Sequence, residues 1–543
     1  MVSRPGIIVN PALPGFNPDP SFCRVGDDYY IATSTFEWYP GVQLHHSKDL
    51  INWRLACRPL TRESQLDMRG NPDSCGIWAP CLSFADGKFW LVYTDVKRFD
   101  GNFKDAHNYI VTAPAIEGPW SDPVYVNSSG FDPSLFHDED GRKWFANMVW
   151  NHRASGVKGG PRETFFGGIL LQEWDANSGK LTGLVSNIYH GTRQGLVEGP
   201  HLFKRNGWYY LTTAEGGTGY DHAVTMARSR SITGPYETHP DLHLISSAFD
   251  PDSPLPRAGH GQMVETPDGE VYHTHLCSRP LPGIRKSPLG RETAIQKCVW
   301  RDDWLYLEQG GMVPQLEVPA PKSARKVKAL PFKSPLRNFD DGILADEFQW
   351  LRTPRPERLF SLEARPGYLR LYGRESAGSW FEQALVARRQ EHHAFRAETR
   401  LEFEPETFQQ AAGLALYYNR FKFHALMITQ DEDAGGRVLS ILSSMGHPDG
   451  NLTFPLLQSI KLPASGAIDL AAEANGAVLQ FFVKLKGKWT PVGGALDASL
   501  VSDEGGVRGE HGSFTGAFVG MLAFDITGQA KHADFDWFSY RPL

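Results

Sequence analysis

Little in this chain points to a membrane, a nucleic acid or a metal-stapled fold. No apolar run approaches the roughly eighteen residues that a bilayer-spanning helix needs. The 55 Lys and Arg are outnumbered by 62 Asp and Glu, a net charge of −7, so the basic patches that hold a phosphate backbone are missing. Cysteine is scarce: six in 543 residues, at 23, 57, 75, 81, 277 and 298, with no CxxC spacing. That spacing argues against a zinc site, and scattered thiols fit a reducing compartment. The opening Met1-Val-Ser-Arg-Pro is broken by proline too early for the apolar core of a signal peptide, and a cytoplasmic location is expected. What the chain does have is 54 Gly, 38 Pro and 12% aromatic residues, the composition of a turn-rich β protein.

One pattern recurs five times in the first 270 residues. Its copies begin Asp19-Pro-Ser-Phe, Trp78-Ala-Pro-Cys-Leu, Asp132-Pro-Ser-Leu-Phe, Glu198-Gly-Pro-His-Leu-Phe and His260-Gly-Gln-Met-Val. Eight and nine positions after each lead residue stands a turn dipeptide: Asp27-Asp28, Asp86-Gly87, Asp140-Gly141, Asn206-Gly207 and Asp268-Gly269. An aromatic or β-branched run follows each, which is the signature of a β-hairpin. The lead residues lie 59, 54, 66 and 62 positions apart, room for about four short strands per copy. Units of this size repeated around an axis predict a five-bladed β-propeller. One slot per blade then faces one axis, and two Asp, one Glu, one Trp and one His converge there.

Each word alone has a plainer reading. Asp-Pro starts turns, and a His before Gly is usually structural. Turn chemistry does not, however, place Asp, Asp and Glu at one offset from successive hairpins. The register makes Asp19, Asp132 and Glu198 candidate catalytic residues.

The period ends after 300–307. Residues 314–335 hold five Pro and five Lys or Arg without hydrophobic period and read as a linker between a domain at 1–313 and another at 336–543. Beyond the linker, 395–403 alternates Phe, Ala, Thr, Leu and Phe against Arg and Glu, as a half-buried antiparallel strand does. Similar runs at 414–418, 424–429, 437–442, 477–483, 517–524 and 534–540 predict a β-sandwich. The chain is expected to be all-β throughout.

At these words the chain resembles the β-xylosidases of glycoside hydrolase family 43, in the branch with a C-terminal sandwich. The resemblance rests on Asn17-Pro-Asp-Pro-Ser, Tyr39-Pro-Gly-Val-Gln-Leu-His-His-Ser-Lys-Asp-Leu, Gly76-Ile-Trp-Ala-Pro, Phe131-Asp-Pro-Ser, Glu198-Gly-Pro-His-Leu, Gly259-His-Gly-Gln, Leu289-Gly-Arg-Glu-Thr-Ala and Phe514-Thr-Gly-Ala-Phe-Val-Gly. It implies a five-bladed propeller with a jelly-roll, concanavalin-like sandwich. It also implies exo-acting hydrolysis of β-1,4-xylo-oligosaccharides, with side activity on α-L-arabinofuranosides. Asp19 and Glu198, on blades one and four and facing each other across the axis, leave room for a water, which predicts inversion. On this resemblance Asp19 is the general base, Glu198 the general acid, and Asp132 the carboxylate that orients Glu198 and raises its pKa. Such a division of labour suits glycoside hydrolysis, which needs a protonated acid and an ionised partner.

Around the carboxylates, Arg291 is expected to bind substrate and accompany Asp19, and Trp78 and Phe36 to wall the sugar. Phe514 is expected to reach over from the sandwich and narrow the mouth. His260 is expected on the axis beneath the sugar, orienting carboxylates through water. No cofactor is required, and Ca²⁺ or another divalent cation beside His260 is left open, although imidazole is an unusual ligand for so hard an ion. Cys81 is expected to tune the wall. The partners are small oligosaccharides, and a homodimer or homotetramer is left open. Two other readings compete: an α-L-arabinofuranosidase or arabinanase on the same fold, and a non-catalytic sugar-binding propeller.

Overall fold

The computed structural model describes residues 4–543 except 100, 154–164, 434, 446–451, 454–458 and 507–512. Among the described residues there is no α-helix, only three short 3-10 turns, and no helix is long and apolar enough to cross a membrane. Five four-stranded antiparallel sheets follow one another in chain order, each paired strand to next strand except that the first passes over the short strand Trp38–Tyr39. Their innermost strands are Ser21–Val25, Gly76–Ala85, Gly130–His137, Glu198–Arg205 and Met263–Glu265. These are the blades of the predicted propeller.

The hairpin signals hold with local differences. Asp86-Gly87 and Asn206-Gly207 close two-residue turns with positive φ at both positions, as a type I′ turn requires. In the first blade Val25 pairs with Asp28, so the turn is Gly26-Asp27, one residue earlier than the dipeptide suggested. Glycine supplies the left-handed residue there, which Asp27-Asp28 lacks. In the third blade His137 pairs with Lys143 and in the fifth Glu265 pairs with Val271, which leaves longer loops.

The segment 314–335 is not a bare linker. Glu317–Pro319 pairs antiparallel with Ile7–Val9, and Ile8, Val318 and Ala320 are buried together. The two ends of the propeller thus clasp each other beside the first and last blades. A three-residue apolar strand carries too little period to be seen among prolines.

The second half stacks two sheets. The larger runs through Gly436–Met445, Lys422–Asp431, Gln410–Asn419, Phe518–Asp525, Ala384–Arg389 and Phe348–Leu351. The smaller has seven strands, with His532–Pro542, Ala394–Glu402, Ile468–Asn475 and Val478–Leu485 at its centre. Leu414, Leu416, Ile428, Phe395, Leu470 and Phe481 meet in the core between them. The other face of the larger sheet does not meet water. Ala411, Ala415, Tyr417, Met427 and Phe518 pack on Phe16, Phe36 and Trp38 of the propeller. Gln410–Asn419 is therefore buried at every position, while Ala394–Glu402 alternates.

The propeller even lends this sheet a strand. Trp38–Tyr39 pairs antiparallel with Phe348–Leu351, Trp350 opposite Tyr39 and Leu351 opposite Trp38. Trp38 also stacks on Phe518, with centroids 3.6 Å apart and planes 12° apart. Buried ion pairs tie the same face, Arg257 to Asp503 at 3.0 Å and Arg352 to Asp73 at 2.8 Å. The sandwich is thereby fixed against the rim from which the inner strands start.

Candidate active site

Three inner strands break register at the slot itself. Pairing slips between Trp78 and Cys81, between Phe131 and Ser134, and between Glu198 and His201. A proline lies inside each slip (Pro80, Pro133, Pro200), and proline has no N–H to give the ladder. The bulge re-aims the lead side chain toward the axis. Asp19, Asp132 and His260 hold φ values of 56°, 54° and 47°, left-handed backbone that costs each of them of order 1–3 kcal/mol. The surrounding sheet holds that strain where the reactive groups are needed.

Asp19 is buried and fully engaged. Arg291 Nη1 donates to its Oδ1 at 2.8 Å, and Ser34 Oγ donates to its Oδ2 at 2.7 Å. His260 Nδ1 lies 3.8 Å from the same Oδ1. Each of its two oxygens thus accepts from a fixed donor, one of them a charge-assisted bond.

Glu198 stands in the opposite condition. Burial first, and then the negative charge of Asp19, push its carboxyl up to about 8, while Arg291 and Lys104 pull the other way. Asp132 accepts from the backbone N–H of Gly199 at 3.1 Å, next door to Glu198. Burial, Glu198 and Asp19 together drive the Asp132 carboxyl well above the usual range. Asp132 and Glu198 therefore compete for protons, and the anion that raises Glu198 after burial is Asp19.

The rest of the pocket is aromatic. Trp78 lies 5.1 Å from Phe131, 5.9 Å from Phe99, and 6.0 Å from both Phe36 and Phe514, centroid to centroid. Phe36, also left-handed at φ 51°, exchanges backbone hydrogen bonds with Ile77 at the head of the second blade. Phe514 comes from the sandwich, and its carbonyl accepts from Arg291 Nη2 at 3.0 Å. Phe514, expected to narrow the mouth, is a half-buried roof, and Gly512 just before its loop turn lies outside the described residues. The structure brings all eight predicted side chains to one place.

Cys81 is different. It packs with Trp90, Val92, Leu135 and Phe145 between the second and third blades, and burial pushes its thiol up to about 11. It lies past the bulge, where the strand has already turned its side chains to the inter-blade core, so it does not touch the wall.

Around His260 the neighbours are Asp19 and, at 6.3 Å between ring centroids, His201. Burial holds both imidazoles below their ordinary value. Both Asp19 oxygens are already engaged, and among the described residues no group of three or more His, Cys, Asp or Glu is arranged to hold a metal ion. This donor set does not make the six-to-eight-oxygen cage that calcium takes.

Sequence reasoning missed Ser34, Phe99 and Lys104. Lys104 donates to the Phe99 carbonyl at 3.1 Å and sits 4.3 Å from the Trp150 ring and 5.4 Å from Trp78. It precedes an outer strand, Asp105–Ala113, and shares no slot with the repeat.

A carboxylate fixed by a guanidinium and a hydroxyl, a second carboxyl raised to about 8 and a surround of aromatic rings are the parts of a glycoside hydrolase on a five-bladed propeller. The comparisons with known proteins agree. Residues 8–305 match glycosyl hydrolases family 43, and 337–541 match the β-xylosidase C-terminal concanavalin A-like domain. The chain belongs to glycoside hydrolase family 43. It is 56% identical to a xylosidase/arabinosidase 43B of Humicola insolens, over 98% of this chain and 97% of that one. A β-xylosidase of Bacillus subtilis is 48% identical over 98% and 99%. The crystal structure of a xylan β-1,4-xylosidase from Bacillus halodurans C-125 superposes with a TM-score of 0.92 at 51% identity, covering 98% of this chain and 100% of that one.

Proposed function

We propose that this enzyme removes xylose from the non-reducing ends of β-1,4-xylo-oligosaccharides with inversion, and cleaves α-L-arabinofuranosides as a side activity. The observation that carries the mechanism is the split between the two carboxyl groups: Asp19 fixed by Arg291 and Ser34, Glu198 held up to about 8. Asp19 takes a proton from water as the water oxygen bonds to the anomeric carbon. Glu198 gives its proton to the glycosidic oxygen as that bond breaks, releasing α-xylose and a chain one sugar shorter. Asp132, through the Gly199 amide, holds the strand that carries Glu198. Trp78 and Phe36 offer flat apolar faces to the pyranose. Phe514 closes one side, which favours a chain end over a mid-chain sugar. Hydrolysis of this kind calls for no cofactor. The six unpaired thiols fit a reducing compartment supplied with short oligosaccharides.

The substrate reading is supported by the names of the relatives, several of which carry xylosidase, and by the Phe514 ring set against Trp78 and Phe36. The arabinofuranosidase reading is favoured by the double names of the Humicola and Butyrivibrio relatives and by a non-reducing end α-L-arabinofuranosidase of Bacteroides ovatus, 33% identical over 98% of this chain. Rates on xylobiose, an aryl β-xyloside and an aryl α-L-arabinofuranoside decide between them. Xylobiose cleavage with α-xylose as the first product by NMR is expected. First-formed β-xylose would overturn inversion, and inactivity on both xylosides would overturn the substrate.

A further inference from the structure

The pocket has two walls from different domains, and both hang on one buried residue outside the repeated slot. Ser74 lies between the first and second blades and is fully buried. Its backbone is left-handed, φ 62°. Its carbonyl accepts from Trp78 Nε1 at 2.9 Å. Its hydroxyl oxygen accepts from the backbone N–H of Phe514 at 3.1 Å. Its own N–H donates to Glu37 Oε2 at 3.1 Å.

The loop around it is gripped by the sandwich from three more points. Arg352 donates to the Asn71 carbonyl at 2.7 Å and to Asp73 at 2.8 Å, Arg420 donates to Asp73 at 3.1 Å, and Gly70 N–H donates to the Trp380 carbonyl at 2.7 Å. The loop therefore moves with the sandwich. Ser74 passes that position on to the indole of Trp78 and to the Phe514 peptide, whose carbonyl in turn holds Arg291 on Asp19.

We propose that Ser74 is a positioning residue for the sugar pocket: its carbonyl and hydroxyl lock the propeller wall and the sandwich roof to a single anchor. Serine suits that position because only its hydroxyl accepts from the Phe514 amide. The backbone alone would prefer glycine. Retaining serine in a left-handed, fully buried position keeps a strain that the pocket geometry uses.

The kinetic consequence rests on the xyloside reading above. Ser74→Gly removes the hydroxyl and relieves the left-handed backbone, whereas Ser74→Ala removes the hydroxyl and keeps the strain. Both should raise KM for xylobiose and for an aryl β-xyloside about tenfold, the loss of one well-placed hydrogen bond, and leave kcat within about threefold. Both should also speed hydrogen–deuterium exchange in a peptide spanning 513–517, and Ser74→Gly should keep or raise Tm. Unchanged KM and exchange in both variants would overturn the proposal, as would a fall in Tm with unchanged KM, the mark of an ordinary buried hydroxyl. If the unaltered protein released no xylose, the substrate reading would fall and exchange alone would decide. Faster exchange would then uphold the Ser74 anchor, and unchanged exchange would overturn it.

Discussion

In the propeller Asp19, Trp78, Asp132, Glu198 and His260 occupy one position of a unit repeated five times, whereas among the described residues the sandwich reaches the same pocket through the loop residue Phe514. The two contributions also differ in kind. Asp19, Asp132 and Glu198 from the blades carry the proton chemistry, and the sandwich adds a ring and one carbonyl that holds Arg291. Repetition lets each blade vary one side chain at a fixed place on the axis. A single loop has no such scaffold, so it is held by hydrogen bonds to its neighbours. Reaction chemistry should therefore be lost through the blades, and binding or stability through the sandwich.

The largest expected effect tests the blade side. Asp19→Ala should lower kcat by about 10²–10⁴-fold on xylobiose and on aryl xylosides alike, because the base acts whatever the leaving group. A loss confined to one substrate class in steady-state assays would move the base elsewhere.

The next effect belongs to the interface. Arg257→Ala takes the cation from buried Asp503, whose carboxylate keeps only the Tyr418 hydroxyl among the described residues, and from Glu504 beside it. Chemical denaturation should show a loss of about 3–5 kcal/mol. Activity per folded molecule should change far less. Unchanged stability would mean that the sandwich is held by its apolar face and borrowed strand alone.

Phe514→Ala is a smaller change that separates roof from chemistry. KM for xylobiose should rise severalfold with kcat nearly kept, and the stability loss should stay below the roughly 3–5 kcal/mol of a fully buried phenylalanine, since the ring is half-buried. A large loss of Tm with normal kinetics would make Phe514 ordinary packing.

The smallest expected effect is a pH dependence of stability. Glu198 is raised to about 8 in the fold, so the folded state holds its proton more tightly than the unfolded chain does. Its contribution is full below the ordinary carboxylate pKa and is lost as pH rises toward about 8. Glu198→Gln should therefore raise Tm more at pH 8.5 than at pH 4.5. An equal shift at both values would contradict the burial account of Glu198.

The same contrast explains what could be read from the chain. The blade slot was legible because five copies shared one offset from five hairpins, and the bulges at Pro80, Pro133 and Pro200 then aimed their lead residues together. Arg291 and Phe514 were legible only through the resemblance of their surrounding words. Ser74, Ser34 and Lys104 left no trace, since a serine or lysine in a loop has no period and its role comes from partners distant in sequence. Cys81 was misplaced because the bulge reverses its facing, which no alternation pattern predicts. The doubly buried sheet hid in the same way. Gln410–Asn419 reads like any apolar strand until the propeller covers its second face.

The most direct test is the rate of Glu198→Ala on two substrates that differ only in the leaving group. A protonated Glu198 matters most for a poor leaving group, so xylobiose hydrolysis should fall at least about a hundredfold further than hydrolysis of an aryl xyloside with an acidic phenol. Equal losses on the two substrates would contradict the assignment of Glu198 as the acid.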